Sequence, residues 1–374
     1  MPLTLPPDLM VSVSGIRGRV GGTFTPELVT GVAAAFGCFL RNEGRGDLVL
    51  VGRDSRTSGP MFDRAVVAGL VSVGNRVVRL GVVPTPTLLL AVGHHRAAGA
   101  VGVTASHNPA PWNALKLATG EGMFLDTPTS TRFRAFLAES DVPRAPWDRL
   151  RAVDRDDAGV ERHLEAILAL PQLEVERIRA RAFRVALDCV HGAGGTIMPP
   201  LLEALGCEVR GLGLEPDGRF PRDPEPVAAN LDDLGALVRD SGAELGLAVD
   251  PDVDRLSLVD EAGRPLGEDL TLALAAAAVL RRGPGTVVTN LSTSQVVEDV
   301  ARGLGGRVVR APVGEINVAR RMQAEDAVVG GEGNGGVILP DLHLTRDAPV
   351  AAALLLQHLA DTGSRLSEAA ARWP

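Results

Sequence analysis

Short apolar runs that end in glycine, aspartate or serine alternate with helix-like segments along almost the whole chain. Three such runs, at residues 48–51, 184–187 and 286–288, each begin a block of similar pattern. Continuous apolar runs are typical of strands buried on both faces, and helices between them favour parallel pairing. The pattern predicts an α/β fold of three consecutive, similar α/β/α domains, with sheets that are mixed but mainly parallel.

The same periodicity predicts individual elements. Predicted helices cover residues 26–40, 62–73, 198–205, 231–241 and 295–304. Predicted strands cover residues 48–51, 76–83, 97–104, 184–188, 208–214, 245–250, 286–290, 307–311 and 327–330. A proline- and charge-rich stretch at residues 141–157 predicts a linker. We therefore expect domain I at residues 1–147, domain II at 148–255 and domain III at 256–368.

Composition narrows the class of protein. Hydrophobic residues make up 45 % of the chain and aromatic residues 3 %, with no tyrosine, so the core is aliphatic. A net charge of −8 argues against a nucleic-acid partner, which would select a basic face. Three widely spaced cysteines and the lack of a signal-peptide pattern predict a cytoplasmic protein. The longest apolar stretch, residues 270–280, is too short to span a bilayer, so no membrane partner is expected.

One basic residue stands apart from the rest. Of the 38 lysine and arginine residues, only Lys116 is a lysine. Arginine can replace lysine where charge alone is needed, but guanidinium does not exchange a proton at working pH. Lys116 follows the polar segment Ser106-His107-Asn108 by a few residues, which favours a chemical role. Survival of one lysine by chance in an arginine-rich composition is the alternative.

Polar loops follow two of the predicted strands. Ser106 follows the strand at residues 97–104, so its hydroxyl could accept or transfer a phosphoryl group; a simple turn or helix cap is the alternative. Asp250, Asp252 and Asp254 follow the strand at residues 245–250. If the backbone stays extended, their carboxylates point to one side. Oxygen-only ligands suit Mg²⁺, whereas the alternative is a solvated acidic turn.

Two glycine-rich segments complete the pattern. Residues 330–336 combine Gly333 and Gly335 with Glu332 and Asn334, a carboxylate and an amide that can bind sugar hydroxyls. Near the start, Arg17 lies between glycines in Ser14-Gly15-Ile16-Arg17-Gly18 and could hold a phosphate. Each segment alone is equally typical of a plain turn.

Together, and in this order, the four segments resemble the α-D-phosphohexomutase superfamily, and the branch of archaeal-type phosphoglucosamine mutases in particular. That family has an S-G-I-R-G segment, a phosphoserine in T-A-S-H-N-P, a D-x-D-x-D-R metal loop and a G-E-x-S/N-G sugar loop. Residues 52–56 and 220–226 also look like family segments. The resemblance covers nearly the whole chain.

The resemblance implies roles for these residues. Ser106 would carry the phosphoryl group, and Mg²⁺ would be held by the phosphorylated Ser106 with Asp250, Asp252 and Asp254. Further catalytic residues would be Lys116, His107, Arg17 and Arg255, and the sugar would bind at Glu332, Gly333, Asn334 and Gly335. The implied reaction interconverts hexose 1-phosphate and 6-phosphate through a hexose 1,6-bisphosphate, which is also the activator.

Two departures from the family pattern bear on function. Asn334 stands where most members have serine, which favours glucosamine phosphate over mannose or glucose phosphate. The sequence ends at about the point where the family's fourth domain begins, so we expect a three-domain chain. The implied partner is a small-molecule hexose phosphate; the residues leave monomer and homodimer open.

Two other classes of protein compete with this interpretation. Asp250-Pro251-Asp252-Val253 also fits the first four positions of the D-x-D-x-[TV] pattern of haloacid-dehalogenase-type phosphatases, but the fifth position is Asp254 and no lysine follows it. A sugar-phosphate-binding protein without turnover is the second alternative. Binding of a hexose phosphate without phosphoryl transfer would favour it.

Overall fold

The computed structural model describes residues 3–13 and 15–373, so Ser14 of the first glycine-rich segment lies outside the described residues. The chain divides into two compact units. The first unit holds Met1–Val160 with Asp217–Arg219, and the second holds Glu161–Pro216 with Phe220–Pro374.

The first unit contains one seven-stranded sheet in the order β1-β2-β6-β5-β3-β4-β7. Its strands are β1 Met10–Ser12, β2 Gly15–Arg19, β3 Leu48–Arg53, β4 Arg76–Val82, β5 Gly99–Val103, β6 Trp112–Thr119 and β7 Val153–Arg155. Its helices are α1 Pro26–Asn42, α2 Gly59–Ser72, α3 Thr85–His95 and α4 Thr127–Glu139. Strands β3, β4, β5 and β7 pair in parallel, whereas β1, β2 and β6 pair antiparallel to their neighbours.

The second unit contains two four-stranded sheets, in the orders β11-β10-β8-β9 and β13-β12-β14-β15. Their strands are β8 Arg184–Asp188, β9 Glu208–Leu212, β10 Leu245–Val249, β11 Leu256–Val259, β12 Thr286–Asn290, β13 Arg307–Ala311, β14 Val329–Glu332 and β15 Gly336–Ile338. The remaining helices are α5 Gly159–Leu168, which crosses the division, α6 Val175–Arg179, α7 Met198–Ala204, α8 Asp232–Ser241, α9 Asp269–Leu280, α10 Val296–Gly303, α11 Glu315–Glu325, α12 Ala348–Thr362 and α13 Leu366–Ala371. Each sheet has three parallel strands and one antiparallel edge strand, β11 or β15.

The predicted fold class is confirmed: each sheet is mixed and is accompanied by helices. Central strands such as β5 and β10 are buried along their whole length, which explains why they read as unbroken apolar runs. The apolar stretch at residues 270–280 is most of helix α9, which packs against α10 and α12. Across the described residues, no helix is long and apolar enough to cross a membrane.

Strand pairing departs from the predicted boundaries at residues 147 and 255. Val153–Arg155, expected in domain II, forms β7 and pairs with β4 of the first sheet. Leu256–Val259, expected to open domain III, forms β11 and pairs with β10. Both strands are short edge strands, and periodicity assigns such segments poorly because they contain so few residues.

All three sheets share one connection that positions the functional loops. In each, a buried parallel strand turns back into an antiparallel neighbour: β5 into β6, β10 into β11, and β14 into β15. The intervening loops cover residues 104–111, 250–255 and 333–335. We call them the serine loop, the aspartate loop and the sugar loop. The similar pattern of the three sequence blocks therefore corresponds to one hairpin connection that recurs in each sheet.

Candidate active site

The serine loop holds Ser106 in a strained backbone conformation. Its φ is 49°, in the left-handed region that is unfavourable for residues with a Cβ atom. The backbone N–H of Ser106 donates to Thr104 Oγ1 at 3.0 Å, and that hydroxyl donates to Asp54 Oδ2 at 2.7 Å. Strain that is held in place by surrounding hydrogen bonds is common at functional sites.

Arg56 fixes the rest of this loop. Its side chain is almost fully buried, and its Nε donates to Asp54 Oδ2 at 3.0 Å. The guanidinium nitrogens donate to backbone carbonyls of the serine loop and the start of β6, those of Ser106 at 2.6 Å, Asn108 at 2.5 Å, Pro109 at 3.0 Å and Trp112 at 3.0 Å. The planar guanidinium thus satisfies several buried carbonyls at once. From the sequence, residues 52–56 were recognised only as similar to a family segment. The role of Asp54 and Arg56 in fixing the serine loop was not predicted.

The other predicted residues of this unit lie around the same loop. Ser106 Oγ is 3.3 Å from His107 Nδ1, and an Arg17 guanidinium nitrogen donates to Asn108 Oδ1 at 3.0 Å. Lys116 lies on β6, directly opposite Gly102 of β5, and is only 3 % exposed. Its Nζ is 5.4 Å from the centre of the Phe124 ring. The structure therefore gathers Arg17 and His107 at the serine loop and buries Lys116 in the adjoining strand.

The aspartate loop brings three carboxylates together. Asp250, Asp252 and Asp254 are fully buried, and one oxygen from each lies within 4.8 Å of the others. The expectation that an extended backbone aligns them is wrong. The chain turns at Val253, whose φ is 66°, and the Val253 N–H donates to the Asp250 carbonyl at 3.1 Å. The tight turn, not strand alternation, makes the carboxylates converge.

Electrostatics show that this cluster fits a cation. Burial raises the pKa of Asp250 well above its usual range, and the charges of Asp252 and Asp254 raise it further. Three close carboxylates in a buried turn disfavour one another unless positive charge lies among them. An oxygen-only donor set of this kind suits a hard divalent cation such as Mg²⁺. The acidic triad can therefore bind a metal ion.

Arg255 follows the acidic triad, and its guanidinium forms an ion pair with Glu225. A guanidinium nitrogen lies 3.3 Å from Glu225 Oε1, and its Nε lies 3.8 Å from Asp254 Oδ1. The backbone N–H of Arg255 donates to Asp250 Oδ1 at 3.3 Å. Arg255 thus joins the aspartate loop to the segment that carries Glu225.

The sugar loop begins after Glu332, the last residue of β14. Asn290 and the backbone N–H of Gly314 donate to Glu332 Oε1 at 2.8 and 2.9 Å. Burial alone would raise the pKa of Glu332, but Arg346 and these hydrogen bonds lower it below its usual value. Glu332 is therefore held as a carboxylate, a fixed acceptor suited to sugar hydroxyls.

The glycines of the sugar loop permit close approach of neighbouring chain. A Cβ atom on Gly333 would lie 2.2 Å from Asp269 Oδ1. Gly335 has a φ of 86°, and a Cβ atom there would lie 2.4 Å from the Leu256 carbonyl. Since Leu256 begins β11, the sugar loop packs directly against the end of the aspartate loop.

Arg346 connects these two loops, and sequence analysis missed it. Its guanidinium nitrogens donate to Asp254 Oδ2 at 2.7 Å and to Glu332 Oε2 at 2.8 Å. Another contact reaches Asn334 Oδ1 at 3.4 Å. Among so many arginines, nothing in the sequence distinguishes this one; only its position before the capping residue of α12 gives a weak signal.

Comparison with known proteins identifies the family. Models of the phosphoglucomutase/phosphomannomutase α/β/α domains I, II and III match residues 9–142, 161–263 and 267–374. A Thermococcus kodakarensis phosphoglucomutase/phosphomannomutase is 39 % identical over 357 residues, which cover 95 % of this chain and 78 % of that protein. The chain belongs to the phosphoglucomutase/phosphomannomutase family. This membership confirms the predicted α-D-phosphohexomutase resemblance.

Two further relatives agree with this family. A Methanopyrus kandleri protein described as a probable phosphoglucosamine mutase is 39 % identical over 363 residues, or 96 % of this chain and 78 % of that protein. A crystal structure from Thermus thermophilus, described as a phosphomannomutase, superimposes with a TM-score of 0.89 at 29 % identity and covers 100 % of this chain and 84 % of that one. Members of the family are isomerases that act on hexose phosphates, so the predicted enzyme class is confirmed.

Proposed function

We propose that this chain transfers a phosphoryl group between O1 and O6 of a hexose phosphate through a phosphorylated Ser106 and a bound hexose 1,6-bisphosphate. The proposal is supported by the hairpin connection that recurs in the three sheets. Its loops carry a strained serine, an acidic triad and a carboxylate–amide pair, which are the groups that phosphoryl transfer to a sugar requires. Glucosamine phosphate is the first candidate substrate, with mannose and glucose phosphate as alternatives.

Each of the two phosphoryl transfers breaks one oxygen–phosphorus bond and forms another. Phosphorylated Ser106 loses its Oγ–phosphorus bond as a sugar hydroxyl forms a new oxygen–phosphorus bond and gives up its proton. The other phosphoryl group of the bisphosphate then returns to Ser106. The Ser106 oxygen gains a proton in the first step and loses it in the second, and Lys116 is the proposed carrier because its amine, unlike guanidinium, can exchange one.

The remaining residues bind and orient. Asp250, Asp252 and Asp254 would hold Mg²⁺, with a phosphoserine oxygen as a further ligand. When bound, this ion supplies positive charge that stabilises the oxygens of the transferring group. Arg17, His107 and Arg255 are proposed to contact phosphate oxygens, and Glu332 and Asn334 to accept and donate hydrogen bonds with sugar hydroxyls.

Phosphorus NMR tests the proposal directly. The purified chain is incubated with Mg²⁺, a trace of glucose 1,6-bisphosphate and the 1-phosphates of glucosamine, glucose and mannose. We expect the 6-phosphate signal of at least one sugar to grow. Ser106→Ala should abolish this growth, since it removes the accepting oxygen. The control Ser72→Ala removes only hydrogen bonds with Gly69 and Arg144 at the end of α2 and should not.

Two results would contradict the proposal. Full turnover by Ser106→Ala would show that Ser106 carries no phosphoryl group. Binding of a hexose phosphate by the wild-type chain without any 6-phosphate formation would show a binding protein in place of a mutase.

A further inference from the structure

A cavity of about 240 Å³ opens beside the sugar loop, within the second unit. It is lined by Glu225, Arg255, Glu268, Ser292, Gly333 and Asn334, among others. Arg255, Gly333 and Asn334 belong to the proposed sugar and phosphate contacts. Glu268 belongs to none of the motifs that sequence analysis identified, and the proposed function gives it no role.

The charges that line this cavity do not balance. Glu225 and Arg255 form an ion pair at 3.3 Å, so each compensates the other. The Glu268 carboxylate forms no hydrogen bond or ion pair with any of the described residues. The lining therefore carries two carboxylates against one guanidinium, an excess of one negative charge. A positively charged group on a ligand would satisfy it.

A purely structural role for Glu268 is already filled by its neighbour. Glu268 precedes helix α9, where a carboxylate stabilises the helix dipole. Asp269 lies in the first turn of α9 and accepts a hydrogen bond from the Ser294 N–H at 2.8 Å, which anchors the same end of the helix. Asp269 therefore provides the acidic residue that stabilises this end of α9, and Glu268 lines the cavity instead.

We propose that Glu268 is the specificity-determining residue for glucosamine phosphate over glucose and mannose phosphate, because its carboxylate binds the protonated amine of the sugar. This inference rests on the proposed function and assigns a residue to its substrate preference. An ammonium group donates three hydrogen bonds and brings the missing positive charge to the Glu268 carboxylate. A hydroxyl at the same place donates a hydrogen bond but leaves the charge uncompensated. An acetylated amine also leaves it uncompensated and is bulkier.

Competition kinetics can test the role of Glu268. The full chain with Mg²⁺ is given glucosamine 1-phosphate and glucose 1-phosphate together, and the ratio of their kcat/KM values is measured. Glu268→Gln keeps the size of the side chain and removes its charge. We expect the ratio to fall about tenfold in this variant, as for loss of one hydrogen bond to a charged group. Glu27→Gln is the matched control: Glu27 lies in the first turn of α1, in the first unit, and its change should leave the ratio unaltered.

The pH dependence of the same ratio excludes a merely structural effect. The preference of the wild-type chain for glucosamine phosphate should decline as pH rises through about 8, the range in which amino groups lose their proton. In Glu268→Gln the ratio should change much less over this range. A general loosening of the loop would affect both sugars alike and would not depend on the charge of the amine.

The outcomes separate failure of this inference from failure of the proposed function. If the chain turns over hexose phosphates but Glu268→Gln leaves the ratio unchanged, the role of Glu268 is wrong and the mutase proposal stands. If the chain binds without turnover, the ratio of dissociation constants from calorimetry replaces the kinetic ratio. If no hexose phosphate binds or reacts, both proposals fail.

Discussion

Two clusters of potential metal ligands in the second unit meet the same geometric condition, yet they differ in charge. Asp250, Asp252 and Asp254 form one, and His163, His343 and Asp347 form the other. In each cluster the potential ligand atoms lie within 4.8 Å of one another. The first consists of three carboxylates, whereas the second surrounds one carboxylate with two imidazoles. We call them the acidic cluster and the histidine cluster.

The carboxylate of the histidine cluster has two imidazole partners. His163 and His343 each place Nε2 2.8 Å from Asp347 Oδ2, and Asp347 Oδ1 accepts the Val350 N–H at the start of α12. Although burial alone would raise the pKa of Asp347, the two histidines hold it well below its usual range. The cluster therefore ties α5, through His163, to the N-terminus of α12.

The pKa directions show the difference between the clusters. Burial and like charge raise the pKa of Asp250, whereas imidazole partners lower that of Asp347. Asp254 has Arg346 as a partner, but Asp250 faces two other carboxylates, so its ionised form is disfavoured until a cation binds. Geometry alone therefore does not distinguish a metal site from a structural clamp, but the balance of charge does.

Removing the centre of the histidine cluster should have the largest effect on stability. Asp347→Ala leaves the imidazoles of His163 and His343 without their acceptor and removes the cap of α12. We expect the free energy of unfolding to fall by about 3–5 kcal/mol, as when a buried pair loses one partner. Urea unfolding at pH 7, followed by circular dichroism, measures this change. A loss below about 1 kcal/mol would show that the cluster contributes little.

The same variant should alter acid stability. Because the pKa of Asp347 is lowered in the folded state, its contribution is present above the unfolded value of about 4 and is lost as pH falls below it. The wild-type chain should therefore lose this contribution progressively in acid, and Asp347→Ala should show a correspondingly shallower loss over that pH range. Urea unfolding repeated at a series of acidic pH values measures both slopes, and equal slopes would contradict the prediction.

The acidic cluster should respond to metal, and the histidine cluster should not contribute to that response. Mg²⁺ at about a hundred times its dissociation constant should raise the free energy of unfolding by about 2.7 kcal/mol. Asp252→Asn should abolish most of this increase because it removes one of the three negative charges. His163→Gln serves as the control, since it changes the other cluster and should retain the increase. Loss of the Mg²⁺ effect in both variants would contradict separate roles.

The two clusters also differ in how far sequence could predict them. The acidic cluster comes from five consecutive residues after an apolar strand, so local pattern was sufficient to find it. The turn at Val253 that makes its carboxylates converge was not predictable from alternation. The histidine cluster joins His163 to Asp347, 184 positions further along the chain, and no local pattern encodes such a contact.

The same limit applies to the fold and the rest of the site. The buried parallel strands and amphipathic helices were predicted because burial sets their periodicity: β8, β12 and β13 have the predicted ends. The antiparallel strands β2 and β6 were missed because glycine, arginine and asparagine interrupt their apolar pattern. Arg56 and Arg346 act on partners from distant segments, so their importance depends on tertiary contacts.

The smallest expected effect tests the repulsion within the acidic cluster itself. Asp250→Asn keeps the Oδ1 acceptor for the N–H groups of Asp254 and Arg255 but removes one charge. Because the pKa of Asp250 is raised in the folded state, its ionisation destabilises the metal-free chain as pH rises above the unfolded value. In EDTA at pH 7 the variant should therefore be more stable than wild type. The difference should shrink at pH 5, nearer the unfolded value, and reverse in saturating Mg²⁺. A variant less stable than wild type in EDTA would mean that the three carboxylates are already compensated within the chain, as the carboxylate of the histidine cluster is.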